Sequence, residues 1–184
     1  MTERDLIKEF YYNGCDISEY QNKIEVVGTN ESKFIFDTNK TSIATTRTYS
    51  CTNILVFNKD FAYLAHMFPS ETVGMNNDFN NRLNELEVFI KHFNPNVINV
   101  LICLGESVAN PGKSDFHDLK YLKEKLNTFR KNCENINIEV NLLPVMKSKY
   151  LLFDLENYLL YIDNPNKEVI DVNELLPLSR NKKK

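Results

Sequence analysis

The chain has 184 residues, of which 42% are hydrophobic and 26% charged, and this composition is typical of a globular protein and not of a disordered one. Its net charge of −3 lacks the basic footprint of a nucleic-acid-binding protein. The sequence has no apolar stretch long enough to cross a membrane, and its first residues lack the apolar region of a secretory leader. We therefore expect no nucleic-acid partner, no transmembrane segment, and a cytoplasmic location or delivery into a host cytosol without a cleaved leader.

The length fits a single domain over residues 1–184. We divide it into an N-terminal extension with strands (1–40), a core (41–178) and a basic tail (179–184), which we interpret as solvated. Four cysteines without Cys-x-x-Cys spacing predict neither a zinc site nor a disulfide framework, and reduced thiols fit a cytosol. Nothing in the sequence indicates a metal or organic cofactor, and the oligomeric state is left open.

The predicted elements, in chain order, begin with a helix that Thr2 caps and end with a terminal strand or turn. Their order of strands, helix, strand, helix and strands predicts an α+β fold, a layered β-sheet sandwich flanked by helices, and not a regular βαβ series. The elements are a helix at 2–12, strands at 23–28 and 33–37 around a turn, strands at 52–58 and 61–68, a helix capped by Asp78 and ending at 93, a buried strand at 97–104, a helix from Ser114 to 129, strands at 136–142, 150–155 and 158–163, and a terminal strand or turn at 169–178.

The most informative segment spans residues 43–72. Two apolar strands flank a turn at residues 58–60, so Cys51 opens the first strand and His66 closes the second. A hairpin brings these two ends together. A thiol beside an imidazole is the minimum equipment for nucleophilic attack on a carbonyl or amide carbon, because the imidazole favours formation of the thiolate.

A third polar group must orient the histidine of such a pair. The run before the cysteine offers the hydroxyls of Thr45, Thr46, Thr48 and Ser50. Side chains alternate between the faces of an extended segment, but a turn within this run would change which hydroxyls share the side of Cys51. Spacing alone therefore does not choose among the hydroxyls, although Ser50 suits a backbone role near an oxyanion better than a side-chain role.

These residues resemble a known pattern. Thr45 is followed six positions later by Cys51, which Ser50 directly precedes, and an apolar strand then ends in Ala-His-Met-Phe-Pro at 65–69. This arrangement resembles the chemoreceptor glutamine deamidase (CheD) family and is similar to that of the cytotoxic necrotizing factor deamidases, which share its fold. The specific letters cover residues 45–69, while the layout of elements matches over 24–163.

The resemblance implies a CheD-like cysteine hydrolase fold and a catalytic triad of Cys51, His66 and Thr45. It implies an amidohydrolase that converts a protein glutamine to glutamate without a cofactor, and some members also hydrolyse receptor methyl esters. Tyr49 replaces the family's glycine before Ser-Cys, and glycine pairs of later loops are missing. The partner that the resemblance implies is a glutamine-bearing protein. It is a chemoreceptor or, if these departures mark an effector-type member, a host protein.

Two alternatives come from other classes. The first is a non-enzymatic protein-binding module on the same fold, in which Cys51 and His66 are core residues and the N-terminal segment, with Tyr11, Tyr12 and Tyr20 as a candidate exposed aromatic patch, is the working surface. The second is a cysteine peptidase or transglutaminase-like enzyme, against which the short spacing from cysteine to histidine argues.

Two further candidates receive structural interpretations. Asp154 and Glu156 resemble a carboxylate pair, but they flank a predicted hairpin turn, so we interpret them as turn residues. Cys103 lies in an apolar strand and is assigned to the core, while Cys15 and Cys133 are interpreted as inert.

Overall fold

Two β-sheets form the centre of the computed structural model, which describes residues 1–36, 39–67, 75–106, 119–143, 149–162 and 169–172. Together with the helices beside them they confirm the α+β class that the element order predicts. Within the described ranges the elements are α1 (Glu3–Tyr12), a 3-10 helix (Ser18–Tyr20), β1 (Ile24–Val26), β2 (Glu31–Phe36), β3 (Ser42–Thr46), β4 (Thr52–Phe57), β5 (Phe61–Met67), α2 (Met75–Phe93), β6 (Val97–Cys103), α3 (Leu119–Asn132), β7 (Asn137–Leu143), β8 (Tyr150–Asp154), β9 (Leu159–Ile162) and β10 (Val169–Asp171).

Both sheets are mixed, with five strands each in the described residues. The first sheet has the order β1-β3-β8-β9-β10 and the second β2-β5-β4-β6-β7. The pairs β1–β3 and β6–β7 are parallel, and β6 is buried along nearly its whole length, as its continuous apolar run predicts.

The first two strands do not pair with each other. A turn, in which the Glu31 N–H donates to the Gly28 carbonyl, sends the chain from β1 in the first sheet to β2 at the edge of the second. The Asn30 N–H donates to the His66 carbonyl, which fixes this turn to the end of β5. The two strands separate because Ile24 packs under α1, whereas Ile35 faces the space between the sheets.

Apolar side chains divide the molecule into layers. α1 covers the outer face of the first sheet through Leu6 and Phe10. The facing surfaces of the two sheets enclose a second core that includes Ile43, Leu55 and Phe153. The third core lies between the second sheet and the helices α2 and α3. Among the described residues, no helix combines the length and the apolarity that crossing a membrane requires.

The helix ends test the predicted caps. Thr2 caps α1 in a capping box with Asp5, as predicted. The prediction that Asp78 caps the second helix is wrong, because α2 already begins at Met75. Asp78 lies in its first turn, where a carboxylate also favours a helix, and pairs with Arg82 at 3.5 Å. The predicted cap at Ser114 lies outside the described residues.

The N-terminal aromatic residues do not form one patch. Tyr11 and Tyr12 are exposed, but Tyr20 is buried in the core beneath α1, so the patch predicted from all three is wrong. The 3-10 helix turns the Tyr20 ring inward, where its hydroxyl lies 2.9 Å from Asp154. The segments at 163–168 and 173–184, which include the basic tail, lie outside the described residues.

Candidate active site

The β4–β5 hairpin positions the candidate nucleophile and base. Its turn is fixed by the Asn58 side chain, whose Oδ1 accepts hydrogen bonds from the N–H groups of Asp60 and Phe61 at 2.8 and 3.0 Å. Asn53 pairs with His66 at the open end of the hairpin. Cys51 directly precedes β4, and the structure therefore places it at the same end of the hairpin as His66.

A hydroxyl from the other sheet contacts the histidine. Thr45 Oγ1 lies 2.7 Å from His66 Nδ1, and this buried hydrogen bond joins β3 of the first sheet to β5 of the second. Thr46, the next residue, instead donates its hydroxyl to Met1 Sδ at 3.3 Å. Thr45 is thus the candidate hydroxyl whose contact with the imidazole is observed.

A turn between β3 and β4 explains how Thr45 and Cys51 reach one site. Arg47 has a φ of 62°, in the left-handed region, and the Cys51 N–H donates to the Thr48 carbonyl at 3.1 Å. The Arg47 N–H donates to the Lys149 carbonyl at 2.6 Å, and its guanidinium pairs with Glu9 of α1 at 3.0 Å. These contacts hold an otherwise unfavourable backbone conformation in place.

Gly105 packs directly against the cysteine backbone. A Cβ at this position would lie 2.4 Å from the Ser50 carbonyl carbon and 2.6 Å from the Cys51 nitrogen, so only glycine fits without a shift of that backbone. The Glu106 N–H then donates to the Tyr49 carbonyl at 3.0 Å. The chain after β6 therefore braces the segment that carries Cys51, a role that the sequence signals only through a glycine directly after a buried strand.

Burial controls the charge of the histidine. His66 is 0% exposed, and desolvation lowers its pKa from the ordinary 6.5 to about 4. The imidazole is therefore neutral at neutral pH. Among the described residues, its Nε2 has no hydrogen-bond partner. If Nδ1–H donates to Thr45 Oγ1, Nε2 carries a lone pair and can accept a proton.

Asn53 is a further polar residue of this site, and no motif in the sequence points to it. It pairs with His66 on one side and with Cys103 on the other, and because paired residues share a face, all three side chains lie between the sheets. Asn53 is 2% exposed, and its Oδ1 has no hydrogen-bond partner among the described residues. The available signal was an asparagine inside a strand that is otherwise Ile, Leu, Val and Phe.

The four cysteines, all of which lie in described segments, differ in environment and form no disulfide. Burial raises the pKa of the Cys103 thiol to about 12, and it also raises the pKa of Cys133. Cys15 is partly exposed, and Cys51 is 6% exposed at the end of the sandwich. The described residues contain no group of three or more His, Cys, Asp or Glu side chains arranged to hold a metal ion.

This arrangement places a thiol and a neutral imidazole at one end of a hairpin, with a hydroxyl fixing the far side of the ring. Such a set can carry out nucleophilic chemistry on a carbonyl carbon. The sequence matches no protein-family model and no curated protein.

Proposed function

We propose that the chain is a cysteine-dependent protein glutamine deamidase with a CheD-like fold, in which Cys51 is the nucleophile, His66 the general base and Thr45 the residue that orients His66. The observation that carries the proposal is the 2.7 Å contact between Thr45 Oγ1 and His66 Nδ1. Nε2 has no partner among the described residues, so Cys51 Sγ, at the same end of the hairpin, is not hydrogen-bonded to it, and the proposed proton transfer requires the two atoms to approach each other.

The first half of the reaction uses the neutral forms of both partners. Cys51 Sγ attacks the side-chain carbonyl carbon of a glutamine, and the thiol proton passes to His66 Nε2. The new S–C bond gives a tetrahedral oxyanion. As the C–N bond breaks, the imidazolium returns its proton to the nitrogen. Ammonia departs, and the substrate remains bound to Cys51 as a thioester. A low pKa for His66 suits this step, because a buried imidazolium readily gives up its proton to the leaving group.

The second half regenerates the thiol. His66 takes a proton from water as the water oxygen attacks the thioester carbon, and the C–S bond then breaks. The proton returns from His66 to the Cys51 sulfur. The products are a glutamate side chain and one ammonia for each glutamine and water consumed, so no metal or organic cofactor enters the balance.

Stabilisation of the oxyanion needs hydrogen-bond donors, each of which contributes about 3–4 kcal/mol in other enzymes. The backbone around residues 50–52 is the expected source. The Cys51 N–H, however, already donates to the Thr48 carbonyl. The mechanism therefore does not use this N–H, and donors must come from its neighbours.

The substrate class follows from the resemblance of residues 45–69 to the deamidase pattern. The partner is a protein with an accessible glutamine, which is a chemoreceptor for a chemotaxis enzyme or a host protein for an effector. The departures at Tyr49 and in the later loops favour a divergent member whose chemistry is kept while its substrate differs. Genes for chemotaxis beside this one would favour the first version, and genes for secretion the second.

The first test is thiol reactivity. At pH 7 we expect a small thiol-reactive probe to label Cys51 at least about 10-fold faster than Cys15, although Cys15 is the more exposed of the two. His66→Ala should remove this advantage, and peptide mass mapping assigns the label to each cysteine. Slow labelling of Cys51 at a rate that His66→Ala leaves unchanged would contradict the proposal and favour a binding module.

The second test is the reaction itself. Incubation with a panel of glutamine-containing receptor and host proteins should release ammonia and raise the mass of the substrate by about 1 Da per converted glutamine. Cys51→Ala should reduce this activity by at least about 1,000-fold, and Cys15→Ala should leave it unchanged. Activity that survives Cys51→Ala would rule out the proposed nucleophile.

A further inference from the structure

Two buried polar atoms on the directly paired residues Asn53 and His66 lack partners. They are His66 Nε2, which the proposed mechanism uses, and Asn53 Oδ1, which it does not; neither has a hydrogen-bond partner within the described ranges. Buried polar atoms in proteins are nearly always hydrogen-bonded. Leaving an acceptor unsatisfied in the interior destabilises a protein by about 1–3 kcal/mol. Asn53 Oδ1 can therefore accept a hydrogen bond from a ligand that brings a donor.

The register places Asn53 where the reacting group would lie. Asn53 and His66 are directly paired on β4 and β5, so their Cβ atoms are about 4.5–5.5 Å apart and their side chains leave the same face. Cys51 precedes Asn53 by two residues on the same chain. The face around them is apolar, with Leu55 and Leu64 as the next residues along the two strands. On β4 and β5, the polar side chains of this face therefore lie at the end that carries the thiol.

We infer that Asn53 is a specificity-determining residue that selects a primary carboxamide, through a hydrogen bond from the substrate's NH₂ group to Asn53 Oδ1. The inference rests on the proposed amidohydrolase function and deepens it. An amide offers the N–H that this oxygen lacks. An ester offers none, and a carboxylate would bring negative charge against the acceptor. Asn53 thereby distinguishes the amide substrate from both its ester analogue and its acid product.

The same contact orients the leaving group. In the tetrahedral intermediate the nitrogen carries two hydrogens and a lone pair. If one hydrogen is held by Asn53 Oδ1, rotation about the C–N bond is restricted, and the lone pair can be directed toward the neighbouring His66. The proton then passes from His66 to this lone pair as the C–N bond breaks. Asn53 gains and loses no proton in this step, so its effect is one of binding and orientation.

The chain offers a matched control. Asn99 of β6 is also a buried asparagine, and it lies on the same face as Cys103, four residues away along the strand. That spacing puts it about 13 Å from the site. Replacement of either asparagine by leucine removes one buried amide of the second sheet, but only Asn53 is next to His66.

The experiment uses two alkylating reagents that differ only in the group beside the reactive carbon. Iodoacetamide presents a carboxamide and methyl iodoacetate an ester, and peptide mass mapping gives a second-order rate constant for each cysteine. We expect the amide-to-ester ratio of rate constants to be about 10-fold higher at Cys51 than at Cys15 of the same molecules. Asn53→Leu should bring the ratio at Cys51 down to that at Cys15, and Asn99→Leu should leave the ratio unchanged.

Equal ratios at Cys51 and Cys15 in the unmodified chain would overturn the inference without any variant. So would a high ratio at Cys51 that persists in Asn53→Leu. If Asn53→Leu does not fold, as judged by cooperative thermal unfolding, the smaller Asn53→Ala takes its place, and the comparison within the unmodified chain decides in either case. Failure of the proposed function would give a different result. Cys51 would then react no faster than Cys15 with either reagent, which the absolute rate constants show and the amide-to-ester ratio does not.

Discussion

Two polar clusters among the described residues, each with a buried polar side chain at its centre, differ in how completely their hydrogen bonds are satisfied. The first surrounds the Asp154 carboxyl group at the β8–β9 turn. Its Oδ1 accepts from the N–H groups of Glu156 and Asn157 at 2.9 and 3.2 Å, and its Oδ2 accepts from Tyr20 Oη at 2.9 Å and from the Asn157 side chain at 2.8 Å. Tyr20 also contacts the hydroxyl of Tyr161 at 3.0 Å.

The second cluster consists of Thr45, Asn53 and His66. Its three side chains are buried, as is the Asp154 carboxyl group, but within the described residues one hydrogen bond joins them, between Thr45 and His66. His66 Nε2 and Asn53 Oδ1 are without partners in the described part of the chain. Burial therefore does not separate a structural polar cluster from a candidate functional one. The capacity to bind a further group does, because a satisfied network only stabilises the fold, whereas open positions are available to a substrate.

The largest difference between the clusters should be in stability. Asp154→Ala leaves the Tyr20 hydroxyl, the Asn157 side chain and two turn N–H groups without their acceptor, so we expect a loss of about 4 kcal/mol in the free energy of unfolding. Urea denaturation measures it. The alkylation rate of Cys51 in the folded variant should not change, because the Asp154 carboxyl group contacts none of Thr45, Asn53 and His66.

Glu156→Ala is the matched control. Glu156 is an exposed carboxylate of the same turn, and its loss should change the free energy of unfolding by less than about 0.5 kcal/mol. If Asp154→Ala slowed the alkylation of Cys51 as strongly as a substitution in the second cluster does, the division into a structural and a functional cluster would be wrong.

The next largest effect is the pH dependence that His66 contributes. Its pKa is about 4 in the folded protein and 6.5 without burial, so between these values the unfolded state binds more protons than the folded state. The free energy of unfolding therefore rises with pH in this window. The contribution is fully present above pH 6.5 and is lost as the pH falls to about 4, and its size is about 3 kcal/mol.

A variant without a titratable ring isolates this contribution. We expect urea denaturation at pH 7 and at pH 4.5 to show a smaller loss of stability for His66→Gln than for the unmodified chain, since carboxyl groups elsewhere titrate in both. The alkylation of Cys51 should remain faster in the unmodified chain than in His66→Ala down to about pH 4. Identical losses of stability in both proteins would show that the imidazole is not held in its neutral form by burial.

The sequence predicts the hairpin well because its signals are local. Two apolar strands and an Asn-Lys-Asp turn place Cys51 and His66 at one end without any information from the rest of the chain. The apolar residues that recur every three or four positions along α2 (Phe79, Leu83, Leu86 and Ile90, all buried) and the buried run of β6 are local in the same sense. What a segment of ten to twenty residues determines by itself could be predicted.

The contacts between layers could not be predicted. Thr45 and His66 belong to different sheets, and nothing in either strand states which strand of the other sheet it faces. The packing of α1 on the first sheet buries Tyr20. No local pattern around Tyr20 indicates this packing, and the sequence alone therefore suggests an exposed side chain. Asn53 was missed because its importance lies in what fails to bond to it, which only the complete set of neighbours shows.

The smallest predicted effect is the most specific one. Thr45→Val keeps the shape of the side chain and removes the oxygen beside His66 Nδ1, so the ring loses the partner that selects its tautomer. A larger share of the imidazoles then carries the proton on Nε2, where it blocks proton transfer. We expect the alkylation of Cys51 at pH 7 to slow by about 10-fold. Thr46→Val, which removes the neighbouring hydroxyl that contacts Met1, should leave the rate unchanged.

A double-mutant cycle shows whether Thr45 acts through the ring. If it does, Thr45→Val has nothing left to disturb in a His66→Ala background, and the double variant should label Cys51 at the rate of His66→Ala alone. Additive losses would mean that Thr45 acts on Cys51 or on the packing between the sheets and not through the tautomer of His66. A purely structural Thr45 would also lower the free energy of unfolding without this coupling. The contact between Thr45 and His66 is therefore part of the proposed chemistry only if the effects of the two substitutions on the labelling rate of Cys51 are not additive.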